Sequence, residues 1–149
     1  MRENRACRMP PPVVALVGPV PPWRSGIADQ DARLVRAIRA LGVETLVVTH
    51  RRLYPSFLYP GLEDRGPGEI PGDLGEVHAL LDGRNPLSYV TAAHFLAERG
   101  VSLAIFPWWT AFFAPHAVAA LATLGAERPQ ATRLILCHNV FDHEANPWK

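Results

Sequence analysis

Residues 13–49 read VVALVGPVPPWRSGIADQDARLVRAIRALGVETLVVT, and this stretch decides the fold. Val13 to Val17 is a short apolar run closed by Gly18, the pattern of a strand buried on both faces. A loop with three prolines follows, and Ser25 stands where a helix N-cap belongs, with the helix starting near Gly26 or Ile27. Ile27, Leu34, Ile38 and Leu41 fall at helical spacing, Arg33, Arg36 and Arg39 take the other positions, and Gly42 is the expected stop. Val43 to Thr49 (VETLVVT) reads as a second strand. Strand, helix and strand this close together make a βαβ unit, whose strands are parallel and whose crossover is right-handed.

Working outward, the same alternation continues. Residues from His50 to Asp82 are broken by proline and glycine and read mainly as a solvated loop, with a short strand around Val77 to Leu81. Asn85-Pro86 is a helix start, with Asn as cap and Pro at the first position, and the helix runs to about Arg99 before Gly100. Leu103 to Phe106 is a buried strand. A helix from near Phe113 to Leu124 packs Ala117, Ala120, Leu121 and Leu124 inward, and Thr132 to Cys137 is the last strand. The expected fold is α/β: a Rossmann-like, doubly wound domain with a mainly parallel sheet over residues 13–149, preceded by a disordered proline-rich tail, residues 1–12.

The composition agrees and excludes several classes. A chain of 149 residues is one domain with room for a real core. With 48% hydrophobic and 19% charged residues, it is not a disordered chain of high charge. A net charge of +1 argues against a general nucleic-acid binder. Val101 to Ala126 carries no Asp, Glu, Lys or Arg, but Pro107 and Pro115 break it, so strand, turn and helix explain it better than a membrane span. Cys7 and Cys137 give no disulfide framework, which fits a reducing, cytoplasmic setting; peripheral contact with a membrane is compatible with that.

In an open parallel sheet, ligands bind beyond the carboxyl ends of the strands. Ser25-Gly26 at a helix N-terminus offers backbone N–H groups and a positive helix end to an anion, although Ser25 is also an ordinary cap. The spacing matches neither GxGxxG nor a P-loop. Cys137-His138-Asn139 with His143-Glu144 lacks the spacing of a zinc site, so no metal is expected. Cys137, ending an apolar strand, is expected to be buried and inert. His138, just past that strand, is the better ligand contact, against the alternative of a histidine satisfied by backbone carbonyls. Trp108 and Trp109 could stack on a flat apolar face such as a sugar, or belong to the core.

Three segments carry a resemblance: VALVGPVPPWRSGIADQDARL (Val14 to Leu34), FPWWTAFFAP (Phe106 to Pro115) and CHNVFDHE (Cys137 to Glu144). In this order they resemble the N-terminal half of family-four glycosyltransferases, retaining enzymes of GT-B fold that use nucleotide sugars. The resemblance implies two Rossmann-like domains facing a cleft, with the acceptor-side domain here and the C-terminal donor domain absent from these residues. It implies a nucleotide-sugar donor, a glycan, lipid or small-molecule acceptor, and no cofactor or bound metal. It places Ser25, Gly26 and Ile27 at the donor diphosphate, His138 in the catalytic position near the donor sugar with Asn139 beside it, and Trp109 and Thr110 along the cleft. The chain departs from the pattern at Ser25, where many relatives have glycine, at Thr110, where close relatives often have histidine, and at Asp142, where proline is common.

Three readings follow: an acceptor-side glycosyltransferase half that does not turn over alone, a stand-alone Rossmann-like module that binds a nucleotide or glycan without catalysis, or a regulatory or structural domain with no ligand, which Gly26, His138 and Asn139 at the strand ends speak against. Under the first, Trp108, Trp109, Phe112 and Phe113 are expected to form an exposed apolar cluster when the second domain does not cover them.

Overall fold

The structure is a computed structural model that describes residues 11–54 and 65–138. Within them the order is β1 (Val13–Val17), α1 (Gly26–Ala40), β2 (Glu44–Arg52), β3 (Glu76–Asp82), α2 (Leu87–Glu98), β4 (Leu103–Trp108), α3 (Ala114–Glu127) and β5 (Thr132–Cys137). The strands form one five-stranded sheet in the order β3-β2-β1-β4-β5, and every neighbouring pair is parallel. This is the α/β, Rossmann-like doubly wound fold expected from the βαβ pattern. Residues 1–10 of the proline-rich tail and Asn139 to Lys149 lie outside the described residues.

Strand periodicity divides the core in two. Along β1, Val14 and Leu16 face one side, while Ala15 and Val17 face the other. The first side is covered by α1, whose Ala32 and Val35 meet Val47 of β2 and Ile105 of β4. The second is covered by α2 and α3, which bring Tyr89, Ala92, Ala93, Leu96, Ala120 and Leu124 against Leu46, Val48, Ala104 and Phe106. Local chemistry sets the helix ends. The Ser25 hydroxyl accepts the Ala28 N–H at 3.0 Å, and the Asn85 side-chain oxygen accepts the Leu87 N–H at 3.1 Å. Gly42 and Gly100 end α1 and α2 with φ of 75° and 68°.

Several expectations are corrected. The fully buried stripe of α1 is Ala28, Asp31, Ala32 and Val35; Leu34 and Ile38 pack half-buried against the same core, and Leu41 is 80% exposed. Small alanines let the helix lie close to the sheet, so they take the inner face. On α3 the inner face holds His116 with Ala120 and Leu124, while Ala117 and Leu121 are half-buried. The short strand expected around Val77 to Leu81 is present as β3, paired along β2. Cys137 is exposed, contrary to expectation, because β5 lies at the sheet edge; Leu134 and Ile135 beside it are 45% and 50% exposed. No helix among the described residues is long and apolar enough to cross a membrane.

Candidate ligand site at the carboxyl end of the sheet

The strand order reverses at β1. The chain runs outward through β2 and β3, then returns to the other side of β1 through β4 and β5. The crevice between the carboxyl ends of β1 and β4 is therefore the topological switch point, where doubly wound sheets bind ligands. The described parts of the three segments, 14–34, 106–115 and 137–138, scattered in sequence, reach the carboxyl ends of β1, β4 and β5, which are adjacent strands. Ser25, Gly26 and Ile27 start α1 after β1, Trp109 and Thr110 follow β4, and His138 follows β5. Asn139 lies outside the described residues.

At the start of α1, the Ala28 N–H goes to the Ser25 hydroxyl and the Asp29 N–H to the Ser25 carbonyl. The Gly26 and Ile27 N–H groups precede the first intrahelical bond, and helix geometry leaves them for an outside acceptor. Gly26 is exposed, and a Cβ there would meet nothing within 4 Å. Ile27 is half-buried.

His138 is tied in place by its backbone, whose N–H donates to the Trp108 carbonyl at 2.8 Å. Leu136 packs on the α1 side of the sheet, so strand alternation puts His138 on that side as well. Its Nε2 is buried without a partner among the described residues, and burial lowers the ring's pKa. The imidazole is therefore held neutral near pH 7.

Asp31 is the residue that sequence reasoning missed. It is fully buried on the inner face of α1, and neither carboxylate oxygen has a hydrogen-bond partner among the described residues. Burial alone pushes its pKa up to about 8, so the group is an uncharged acid at pH 7. Its Oδ2 lies over the switch point: a Cβ on Gly18 would stand 2.9 Å from that oxygen and 2.8 Å from Cγ of Pro107. Gly18 is thus the residue that lets α1, β1 and β4 close on one another. An unpartnered buried carboxyl in such a crevice marks a candidate functional site. No local signal distinguishes Asp31 from Asp29, which is exposed.

Trp109 and Thr110 belong to a different environment. The Thr110 hydroxyl accepts the Phe112 N–H at 3.4 Å, capping a short 3-10 turn (Ala111–Phe113), and the residue is buried. The Trp109 indole N–H donates to the Tyr54 hydroxyl at 2.8 Å, and its ring meets Phe113 at 4.9 Å. Phe113 is buried in the core, while Trp108, Trp109 and Phe112 are half-buried. The exposed four-residue aromatic cluster expected from the sequence is therefore not formed, because the 3-10 turn folds Phe113 inward over His50 and His116.

Among the described residues, no group of three or more His, Cys, Asp or Glu is placed to hold a metal ion. Models of known families, curated proteins and solved structures give no match to this chain.

Proposed function

We propose that the chain is the acceptor-side domain of a retaining glycosyltransferase that takes its sugar from a nucleotide-sugar donor. The observation that carries this reading is that the described parts of the three segments of family resemblance (14–34, 106–115 and 137–138) meet at three adjacent strand ends around the switch point. In this reading the N-terminus of α1 receives the donor diphosphate through the Gly26 and Ile27 N–H groups and the positive helix end. Asp31 lies about one and a half turns along the same helix, where an ionised carboxylate would oppose that anion. Burial keeps it uncharged. His138 contacts the transferring sugar as a neutral imidazole, a role worth roughly 2–4 kcal/mol of transition-state stabilisation. Turnover requires a second domain to close the cleft, orient the donor and exclude water.

The test is saturation-transfer NMR with a panel of nucleotide sugars on the wild type, Gly26→Asp and His138→Ala. The expected result is saturable binding that Gly26→Asp weakens at least tenfold, since it sets a negative charge beside the diphosphate. Loss of contacts to the sugar ring alone is expected in His138→Ala. No binding of any nucleotide sugar, or binding indifferent to both changes, overturns the proposal.

A further inference from the structure

On the side of the sheet opposite α1, a second group of titratable residues converges from three elements. His50, near the end of β2, is 3% exposed, and its Nε2 lies 2.7 Å from the Tyr89 hydroxyl of α2. The Trp23 indole N–H donates to the His50 carbonyl at 3.1 Å. His116, in the first turn of α3, is 4% exposed. Its ring centroid lies 5.0 Å from Tyr89 and 5.4 Å from Phe113, and Phe113 in turn is 5.6 Å from His50. His50 Nδ1 and both ring nitrogens of His116 are buried without a hydrogen-bond partner among the described residues. Two imidazoles with three orphaned nitrogens therefore hold the chain segment that joins β4 to α3.

We propose that His50, Tyr89 and His116 form an acid-sensitive latch, which keeps residues 109–116 folded onto the sheet only while both imidazoles are neutral. A neutral imidazole packs against Phe112 and Phe113 as an aromatic ring. An imidazolium in the same place brings an additional N–H donor and a charge into a buried, largely aromatic site, where the cost of desolvation outweighs the help of the few polar groups that face it. The nearest relief is solvation, and the element able to move is the segment carrying Trp109, Thr110, the 3-10 turn and the start of α3.

The groups facing the two rings set the balance. His50 faces Tyr89 on α2, His116 on α3 and Asp82 at the end of β3. Burial and His116 disfavour its charge, Asp82 favours it, and the result is a pKa lowered to about 3. His116 faces the Gly83 and Phe112 carbonyls and Asp82, which favour its charge, but burial outweighs them and lowers its pKa. Asp82 cannot neutralise the pair, because its carboxylate is already bound to Arg52 at 2.6 Å and accepts the Arg84 N–H at 2.9 Å. The closed state thus binds fewer protons than the open one, in which histidine regains its ordinary value of 6.5. The latch is at full strength above about that pH and weakens as pH falls from there towards 3.

This inference does not depend on the identity of any ligand. Hydrogen exchange of the whole chain between pH 8 and 5, corrected for the intrinsic pH dependence of exchange, tests it directly. Protection of residues 109–116 is expected to fall below pH 6.5 by up to about tenfold per pH unit for each proton taken up, while α1 keeps its protection. His116→Phe, which fills the aromatic site and cannot be protonated, is expected to flatten that response. If that variant fails to fold, imidazole NMR of the wild type decides: a His116 that titrates near 6.5 while 109–116 stays protected overturns the latch. Protection that is independent of pH, or that is lost equally from α1, also overturns it.

Discussion

The two sides of the sheet treat charge in the same way with opposite chemistry. On the α1 side, burial forces an acid to keep its proton, raising Asp31 to about 8. On the α2/α3 side, burial forces a base to shed its proton, lowering His50 to about 3. In both places the charged form is disfavoured chiefly by burial in a low-dielectric interior. The construction differs too. One helix covers the α1 side with small residues, while two helices and the ring cluster around Phe113 cover the other. The contrast teaches that each side has its own pH limit: the α1 side weakens as pH rises, the other as pH falls.

The largest effect expected from breaking this contrast is on the aromatic side. Phe113 is buried and meets His50, Tyr54, Trp109, Phe112 and His116 with centroids between 4.9 and 5.7 Å. Phe113→Ala should cost about 3–5 kcal/mol in urea unfolding, whereas Val35→Ala under α1 removes fewer atoms and should cost clearly less. Equal losses would show that the two sides are equally well packed.

Asp31→Asn is the intermediate case and sharpens the comparison through pH. The native state holds the Asp31 proton up to about pH 8, whereas an ordinary aspartate releases it near 3.8. The contribution of Asp31 to stability should therefore be full below 3.8 and decline as pH rises from there towards 8. The variant lacks that decline, so its advantage should widen by up to about 1.4 kcal/mol per pH unit between pH 5 and 8. Thermal unfolding across that range checks this, and parallel curves for the two proteins would mean that Asp31 is ionised in the fold.

The smallest effect is at the start of α1. Ser25→Ala removes the hydroxyl that accepts the Ala28 N–H and should cost about 1 kcal/mol, with a matching gain in hydrogen exchange confined to the first turn of the helix.

Much of the fold is legible in the amino-acid order, because each element carries a local signal. Apolar runs mark β1, β2 and β4, Ser25 and Asn85 mark helix starts, and Gly42 and Gly100 mark helix ends. The βαβ order predicted ligand contact beyond the carboxyl ends of the strands, but the place of the switch point came only from the order of the strands in the sheet. The environment of individual side chains was not legible in the same way. Thr132 to Cys137 is as apolar as a core strand, yet it is exposed because the sheet ends there. Position in the sheet belongs to the topology and leaves no mark on the strand itself. Asp31, His50 and His116 look like ordinary polar residues in the sequence. They become neutral, buried groups only when α1 closes on Gly18 and Pro107, and when α2, α3 and β2 meet around Phe113. Periodicity and capping are local properties of the chain, whereas burial is a sum over neighbours distant in sequence, and only the tertiary structure performs that sum.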